Sequence, residues 1–262
     1  MSSNKMKSSR APKILKRAKM EPLAYHSIEG SSPTIIFLGG LMSDMSGTKA
    51  TTLENHCKAE GKAFIRFDYT GHGASGGKFK NSNISDWHKD TLSIIDHVSS
   101  GPIVLVGSSM GGWQMLLAAK ERPERVIGLV GIAAAPDFTE DLMWNTFSTQ
   151  LRNQIANYGY KEVPSKYDDS SYPISFNLIE DGRKNLVLRE KIPFIGPVRL
   201  LHGMCDVEVP WETSVKISAC LSSTNVITTL IKDGDHRLSE PKNLELLNQI
   251  VSEVSSIQGN IA

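Results

Sequence analysis

The stretch from Ile103 to Lys120 constrains this chain more than any other. Ile103–Val106 is an unbroken apolar run rich in β-branched residues, the pattern of a strand covered on both faces. Met110–Lys120 has helical spacing. Between them the chain reads Gly107-Ser108-Ser109-Met110-Gly111-Gly112. So short a joint between a buried strand and a helix requires a sharp turn, with the serine at its apex in strained backbone and its hydroxyl projecting from the strand end. Gly107 and Gly111, lacking Cβ atoms, let strand and helix approach closely. Ser109 occupies the apex; Ser108 stands at the variable position of G-x-S-x-G.

The rest of the chain alternates strand and helix signals around this joint. Thr34–Leu38 reads as a strand ending at Gly39-Gly40, Thr48–Ala59 as a helix, Ala63–Tyr69 as a strand and Thr70–Gly77 as a loop. Ser85 is the expected N-cap of a helix carrying Trp87, Leu92, Ile95 and Val98 and closing at Gly101-Pro102. Strands follow at Val126–Ile132, Val198–Leu201 and Val226–Ile231, and a terminal helix at about Lys242–Ser255. This alternation predicts an α/β fold with a mostly parallel sheet, right-handed crossovers and helices on both faces. A length of 262 residues suits one domain with an insertion.

The insertion announces itself as the place where the rhythm fails. From Asp137 to Gly196 no strand-helix alternation holds. Leu142, Met143, Phe147, Leu151 and Ile155 fall on one helical face, and Val163–Tyr172 is polar and turn-rich. A long excursion between two core strands suggests a lid over the carboxyl ends of the strands, where ligands bind in open parallel sheets. The predicted organisation is a basic flexible arm over 1–20, a core formed by 21–136 and 197–262, and a lid over 137–196.

A serine hydroxyl needs a base to take its proton as it attacks. His236, in Asp233-Gly234-Asp235-His236 between the last strand and the last helix, is the expected base. His56, His88 and His97 read as helix positions, His26 precedes the core sheet, His202 closes a strand and is expected to hold backbone or loop groups, and His72 stands on a loop near the site as a supporting residue. The acid that orients the base is expected to be Asp206, just past the strand Val198–Leu201, with Asp137 and Glu208 as rivals. Serine, acid and histidine then follow in the chain order of the nucleophile-turn hydrolases. The backbone N–H groups of Met110 and Leu41 are the expected oxyanion donors, with Gly40 the alternative to Leu41. Met42, Trp144 and Phe147, with Met110, Met143 and Leu151 nearby, are the candidates for an apolar, adaptable substrate wall.

Composition narrows the partners. A net charge of +1 gives no general attraction to nucleic acid, and no stretch approaches the roughly 18 apolar residues of a membrane span. Lys5, Lys7, Arg10, Lys13, Lys16, Arg17 and Lys19 all precede the first acid, Glu21. They suggest a solvated arm, with a mitochondrial presequence as the sharper reading; the expected location is cytoplasmic, with the mitochondrial matrix as the alternative. Cys57, Cys205 and Cys220 have neither disulfide nor zinc spacing, and Cys205 is expected to be a small buried hydrophobe. No metal or cofactor is implied.

Taken together, strand-Gly-Gly-loop, nucleophile turn, Leu200-Leu201-His202-Gly203-x-x-Asp206 and Asp235-His236 resemble the α/β-hydrolase family over residues 23–258. Asp44-Met45-Ser46-Gly47-Thr48-Lys49-Ala50, Arg66-Phe67-Asp68-Tyr69, Pro164-Ser165-Lys166-Tyr167, His202-Gly203-Met204 and Val209-Pro210-Trp211 are similar to one subfamily, abhydrolase-domain protein ten and its bacterial relatives. That resemblance implies the triad Ser109, Asp206 and His236 and a palmitoyl-protein thioesterase or acyl-glucuronide esterase activity; the loop Leu41-Met42-Ser43 departs from the subfamily pattern. The function expected is hydrolysis of a carboxylic ester or thioester, on a small molecule or an acylated protein, through an acyl-enzyme on Ser109. An acyltransferase, a C–C or amide hydrolase and a non-catalytic binding protein are the alternatives, while a dehalogenase or epoxide hydrolase would need a carboxylate at Ser109.

Overall fold

The computed structural model describes residues 11–164 and 171–257. Its main sheet contains eight strands in the order β1-β2-β4-β3-β5-β6-β9-β10. These are β1 (Lys13–Arg17), β2 (Met20–Ile28), β3 (Ser31–Leu38), β4 (Lys62–Phe67), β5 (Ile103–Ser108), β6 (Val126–Ile132), β9 (Val198–Gly203) and β10 (Val226–Ile231). From β4 to β10 every pairing is parallel, whereas β1 pairs with β2 and β2 with β4 antiparallel. The helices are α1 (Thr48–Ala59), α2 (Ile84–His97), α3 (Met110–Glu121), α4 (Thr149–Tyr158), α5 (Phe176–Lys184), α6 (Glu212–Cys220) and α7 (Pro241–Ser256).

The central strands read as continuous apolar runs because both faces are covered. Ile36, Leu38 and Leu105 join one core cluster with Trp87 of α2 and Trp113 of α3. Their neighbours Ile35, Phe37, Val104 and Val106 join a second cluster with Leu53 of α1 and Val251 of α7. Alternate residues of one strand therefore feed two cores, the arrangement expected of a buried parallel sheet.

Three expectations are corrected here. The segment 1–20 is not wholly a flexible arm: Lys13–Arg17 forms β1, which is hydrogen-bonded to β2, and Arg17 pairs with the buried Asp90 carboxylate at 2.8 Å. Lys5, Lys7 and Arg10 lie outside the described residues. His26, read as preceding the sheet, is in β2 opposite Arg66 of β4. The N-cap of α2 is Asn83, whose side chain accepts from Asp86 N–H at 2.9 Å. Ser85 lies inside the first turn and donates its N–H and hydroxyl to Asp181 instead.

The insertion also has more regular structure than its sequence rhythm suggested. Leu142, Met143, Phe147, Leu151 and Ile155 do not share one helix. Leu142 and Met143 belong to a π-helical turn over Thr139–Trp144, and Ser148 then caps a separate α4 by accepting from Leu151 N–H. β7 (Tyr160–Pro164) and β8 (Ser171–Ser175) pair as an antiparallel hairpin, so Val163–Tyr172 begins and ends in strand. Of the motif Pro164-Ser165-Lys166-Tyr167, the last three residues lie outside the described region.

Candidate active site

The turn after β5 takes the strained form that its glycines permit. Ser109 has φ 54° and ψ −119°, a conformation rare for a residue with a side chain. It is held there from both sides, because Ser109 N–H donates to Ile132 O and Ser109 O accepts from Ala135 N–H, each at 3.0 Å. A Cβ on Gly111 would lie 2.0 Å from Leu38 O, and one on Gly107 would lie 2.4 Å from Gly111 O. The close approach predicted from the two glycines is therefore real.

Two further loops come to the same end of the sheet. The loop after β9 carries Asp206 and the loop after β10 carries His236. They meet where a Cβ on Gly203 would lie 2.2 Å from Gly234 O. His236 Nδ1 is 2.7 Å from Asp206 Oδ2, and its Nε2 is 3.1 Å from Ser109 Oγ. Because a carboxylate only accepts, the proton sits on Nδ1, leaving Nε2 free to accept from the Ser109 hydroxyl. The structure thus brings together the three side chains, Ser109, His236 and Asp206, expected from the sequence as nucleophile, base and acid.

The Asp206 side chain is buried, yet it stays charged. Burial alone would raise its pKa. Hydrogen bonds from His202, His236 and Val209 N–H outweigh that and hold the carboxyl well below the usual carboxylate range. Oδ1 accepts from Glu208 N–H at 2.8 Å and Val209 N–H at 2.9 Å. Oδ2 is shared between His236 and His202, whose Nε2 is 3.2 Å away. His202 also approaches Val209 O at 3.0 Å, an atom that can only accept, so Nε2 carries its proton. The sequence foresaw the backbone contact of His202 but not its grip on Asp206; the four-residue spacing of His202 and Asp206 was the available signal.

The rival acids are differently engaged. Asp137 is buried and accepts from Val187 N–H at 2.8 Å and Leu188 N–H at 2.9 Å, so it pins the return of the insertion to the core. Glu208 Oε2 stands 3.8 Å from His236 Nε2, the nitrogen facing Ser109 rather than the one facing the orienting acid.

Gly39-Gly40 also leads to the site. The Cα of Gly40 faces Ser109, such that an added methyl would lie 3.4 Å from Ser109 Cβ. Gly40–Ser43 is a turn closed by Ser43 N–H to Gly40 O at 3.2 Å, with Met42 at φ 57°. Met42 N–H donates to His72 Nε2 at 3.2 Å, so the supporting position expected of His72 is occupied by a specific contact. Met110 begins α3 and is wholly buried, whereas the Met42 side chain is exposed.

Of the expected wall residues, Trp144 packs within the insertion, its ring 5.8 Å from that of Phe176 and under the Arg183 guanidinium at 5.0 Å. Phe147 is half-buried against the core. Tyr172 of β8 has its phenol pushed up, first by burial and then by the charge of nearby Glu208. Cys205 is not buried as expected: it is exposed in the loop after β9 and its thiol donates to Lys232 O at 3.3 Å. Among the described residues no group of three or more His, Cys, Asp or Glu side chains is placed to hold a metal ion. Nor is any helix among them long and apolar enough to cross a membrane.

Residues 32–171 match the protein family described as serine aminopeptidase, S33. The human protein named palmitoyl-protein thioesterase ABHD10, mitochondrial, is 42% identical over 249 residues, which cover 93% of this chain and 81% of that one. The structure of alpha/beta hydrolase domain-containing protein 10 from mouse superposes with a TM-score of 0.87 at 40% identity, covering 93% of this chain and 98% of that one. A structure from Agrobacterium vitis S4, described as a hydrolase, gives a TM-score of 0.87 at 37% identity, with 94% and 98% covered.

Proposed function

The chain belongs to the α/β-hydrolase family described as serine aminopeptidase S33, and we propose that it forms its acyl-enzyme on Ser109, with His236 as base and Asp206 as orienting acid. It is a serine hydrolase of esters and thioesters. The observation that carries the assignment is the position of the His236 ring, 2.7 Å from Asp206 on one nitrogen and 3.1 Å from Ser109 Oγ on the other.

The reaction then runs as follows. Ser109 Oγ attacks the acyl carbonyl as its proton passes to His236 Nε2, and Asp206 stabilises the imidazolium. Met110 N–H and Leu41 N–H donate to the oxyanion of the tetrahedral intermediate. As the intermediate collapses, the C–S or C–O bond breaks and His236 returns the proton to the departing thiol or alcohol. Water, deprotonated by His236, then attacks the acyl-serine; Ser109 recovers its proton and the carboxylic acid leaves.

The substrate class we favour is a long-chain acyl thioester on protein, the class named for the human relative. Residues 137–196 serve as the lid over this site, a reading supported by the nearness of Tyr172 of β8 to Glu208, whose Oε2 lies 3.8 Å from His236 Nε2. Met42, Trp144 and Phe147 contribute its apolar wall. The mitochondrial name of the relatives favours the mitochondrial matrix over the cytoplasm.

Fluorophosphonate labelling followed by a panel of acyl esters, acyl thioesters and aminoacyl amides tests the reading. The expected outcome is a label on Ser109 and turnover of thioesters and esters well above that of amides. Labelling elsewhere would overturn the nucleophile. Amide turnover that exceeds both other classes would move the enzyme to the peptidase activity in the family description.

A further inference from the structure

The Gly40–Ser43 turn has an unusual member. Of its two central residues only Met42 has positive φ, at 57°, where a residue with a Cβ is disfavoured and glycine is usual. Packing does not explain this choice, since the Met42 side chain is 52% exposed. The Leu41–Met42 peptide, however, has a specific partner, because Met42 N–H donates to His72 Nε2 at 3.2 Å. Rotating that peptide by half a turn would give the common turn with negative φ at both central residues. It would also swing Met42 N–H away from the imidazole.

We propose that His72 is a positioning residue that holds the strained Met42 end of the Gly40–Ser43 turn, and so keeps the segment carrying Leu41 N–H in place beside Ser109. The protonation of its ring follows from its neighbours. Nε2 faces an N–H and must present a lone pair; the proton therefore sits on Nδ1, which donates to Thr70 O at 3.3 Å. The ring is 5% exposed and meets Tyr69, Phe79 and Trp87 edge-on at centroid distances of 5.9, 5.3 and 5.4 Å. Burial among these rings pushes the imidazole down to about 4, so the acceptor stays unprotonated in neutral solution.

Thr70 is itself anchored, which gives the lock a fixed base. Its carbonyl also accepts from Trp87 Nε1 at 3.0 Å. Its N–H and hydroxyl donate to Asp90 at 2.7 and 3.1 Å, and Asp90 pairs with Arg17 of β1 at 2.8 Å. An unbroken series of contacts thus leads from the edge hairpin through α2 to the turn beside Ser109.

This inference rests on Ser109 as nucleophile and Leu41 N–H as oxyanion donor, and the test separates the two. His72→Leu removes the acceptor while keeping bulk, and His72→Gln offers an amide oxygen to Met42 N–H. Both are compared with the wild-type full chain and with Ser109→Ala for kcat, KM and thermal unfolding. Complete loss of an oxyanion donor lowers kcat by about 10²–10³, so His72→Leu is expected to lower it by roughly 10–10² with KM within about twofold. His72→Gln should recover most of that loss.

Unchanged kcat in His72→Leu beside an inactive Ser109→Ala would overturn the lock and leave the triad standing. Activity retained in Ser109→Ala would overturn the site assignment and the lock with it. Equal losses in Leu and Gln variants, together with lowered unfolding temperatures, would reduce His72 to a packing residue. Nitrogen-15 spectra of histidine-labelled wild-type protein give an independent reading without any variant: Nδ1 of His72 should be protonated and Nε2 unprotonated from about pH 5 to pH 8, and the opposite tautomer overturns the proposal.

Discussion

The three loops that bring Ser109, Asp206 and His236 together and the insertion over 137–196 are held in opposite ways. The loops are fixed largely by backbone. Ser109 is bonded through its own N–H and C=O, Asp206 receives two backbone N–H groups, and the loops after β9 and β10 touch at Gly203 and Gly234 with no room for a side chain. The insertion relies more on side chains: its Asp181 carboxylate accepts from Ser85 of α2, and within it Arg183 pairs with Glu140 and Arg189 with Asp137 and Asp141. Most of these pairs are partly solvated and individually weak. Backbone contacts survive most substitutions, whereas side-chain ties change with single residues. On the proposed reading, the chemistry is therefore held by the fold's backbone, and the insertion is where selection of substrate would vary.

The sharpest way to break this contrast is at the nucleophile. Ser109→Ala should lose on the order of 10⁴ or more in kcat with folding intact, while Ser108→Ala keeps most activity. Fluorophosphonate labelling and steady-state kinetics read both, and a labelled Ser109→Ala would sink the assignment.

Asp206→Asn should lower kcat by about 10⁴, because the imidazole would be held in the wrong tautomer. Asp137→Asn, which touches the insertion's anchor, should lower the unfolding temperature and leave kcat nearly unchanged. Acid stability supplies a second readout. A carboxyl whose folded pKa is depressed stabilises the protein above its unfolded value near 3.9, and that contribution is lost as pH falls through the folded value. The unfolding temperature of Asp206→Asn should therefore fall less steeply than that of the wild type below about pH 4. Parallel profiles would contradict the buried charge.

Gly203→Ala probes the loop contact directly. The new methyl would collide with Gly234 O and separate Asp206 from His236, and a displacement of about 1 Å can cost about 10²-fold. The loss should fall on kcat with KM little changed; unchanged kcat would show that the loops are looser than their contact suggests.

The smallest effect is expected in the insertion. Each buried methylene contributes at most about 0.8 kcal/mol, so kcat/KM should rise by at most about fourfold per methylene from acetyl to medium-chain substrates. Phe147→Ala should flatten that rise and spare acetyl esters. Trp144→Ala, which also loses contact with Phe176 and Arg183, should lower the unfolding temperature as well. A profile peaking at acetyl would remove the apolar wall from the account.

The central strands and the joint at Ser109 were legible in the sequence because a buried strand and a tight strand-helix turn restrict residue type at every position. β1 and β2 were not, since an edge hairpin accepts lysine and serine as readily as a tail does. The insertion was legible as an interruption and not in its parts: the break at Ser148 depends on one capping hydrogen bond, which periodicity does not register. Within the site, Asp206 and His236 were legible from loop position, whereas the contact between Gly203 and Gly234 and that between His72 and Met42 join segments far apart in sequence. Cys205 was misjudged because its neighbours resemble a strand end, while its thiol actually lies on the surface of the loop.

β1 is the outermost described strand at its end of the main sheet, and both of its lysines, Lys13 and Lys16, are exposed. An unpaired strand edge is an invitation to another chain, and positive charge along it is a common deterrent to such pairing. The lysines that made this segment look like a tail thus place positive charge along the edge at which another strand would otherwise add.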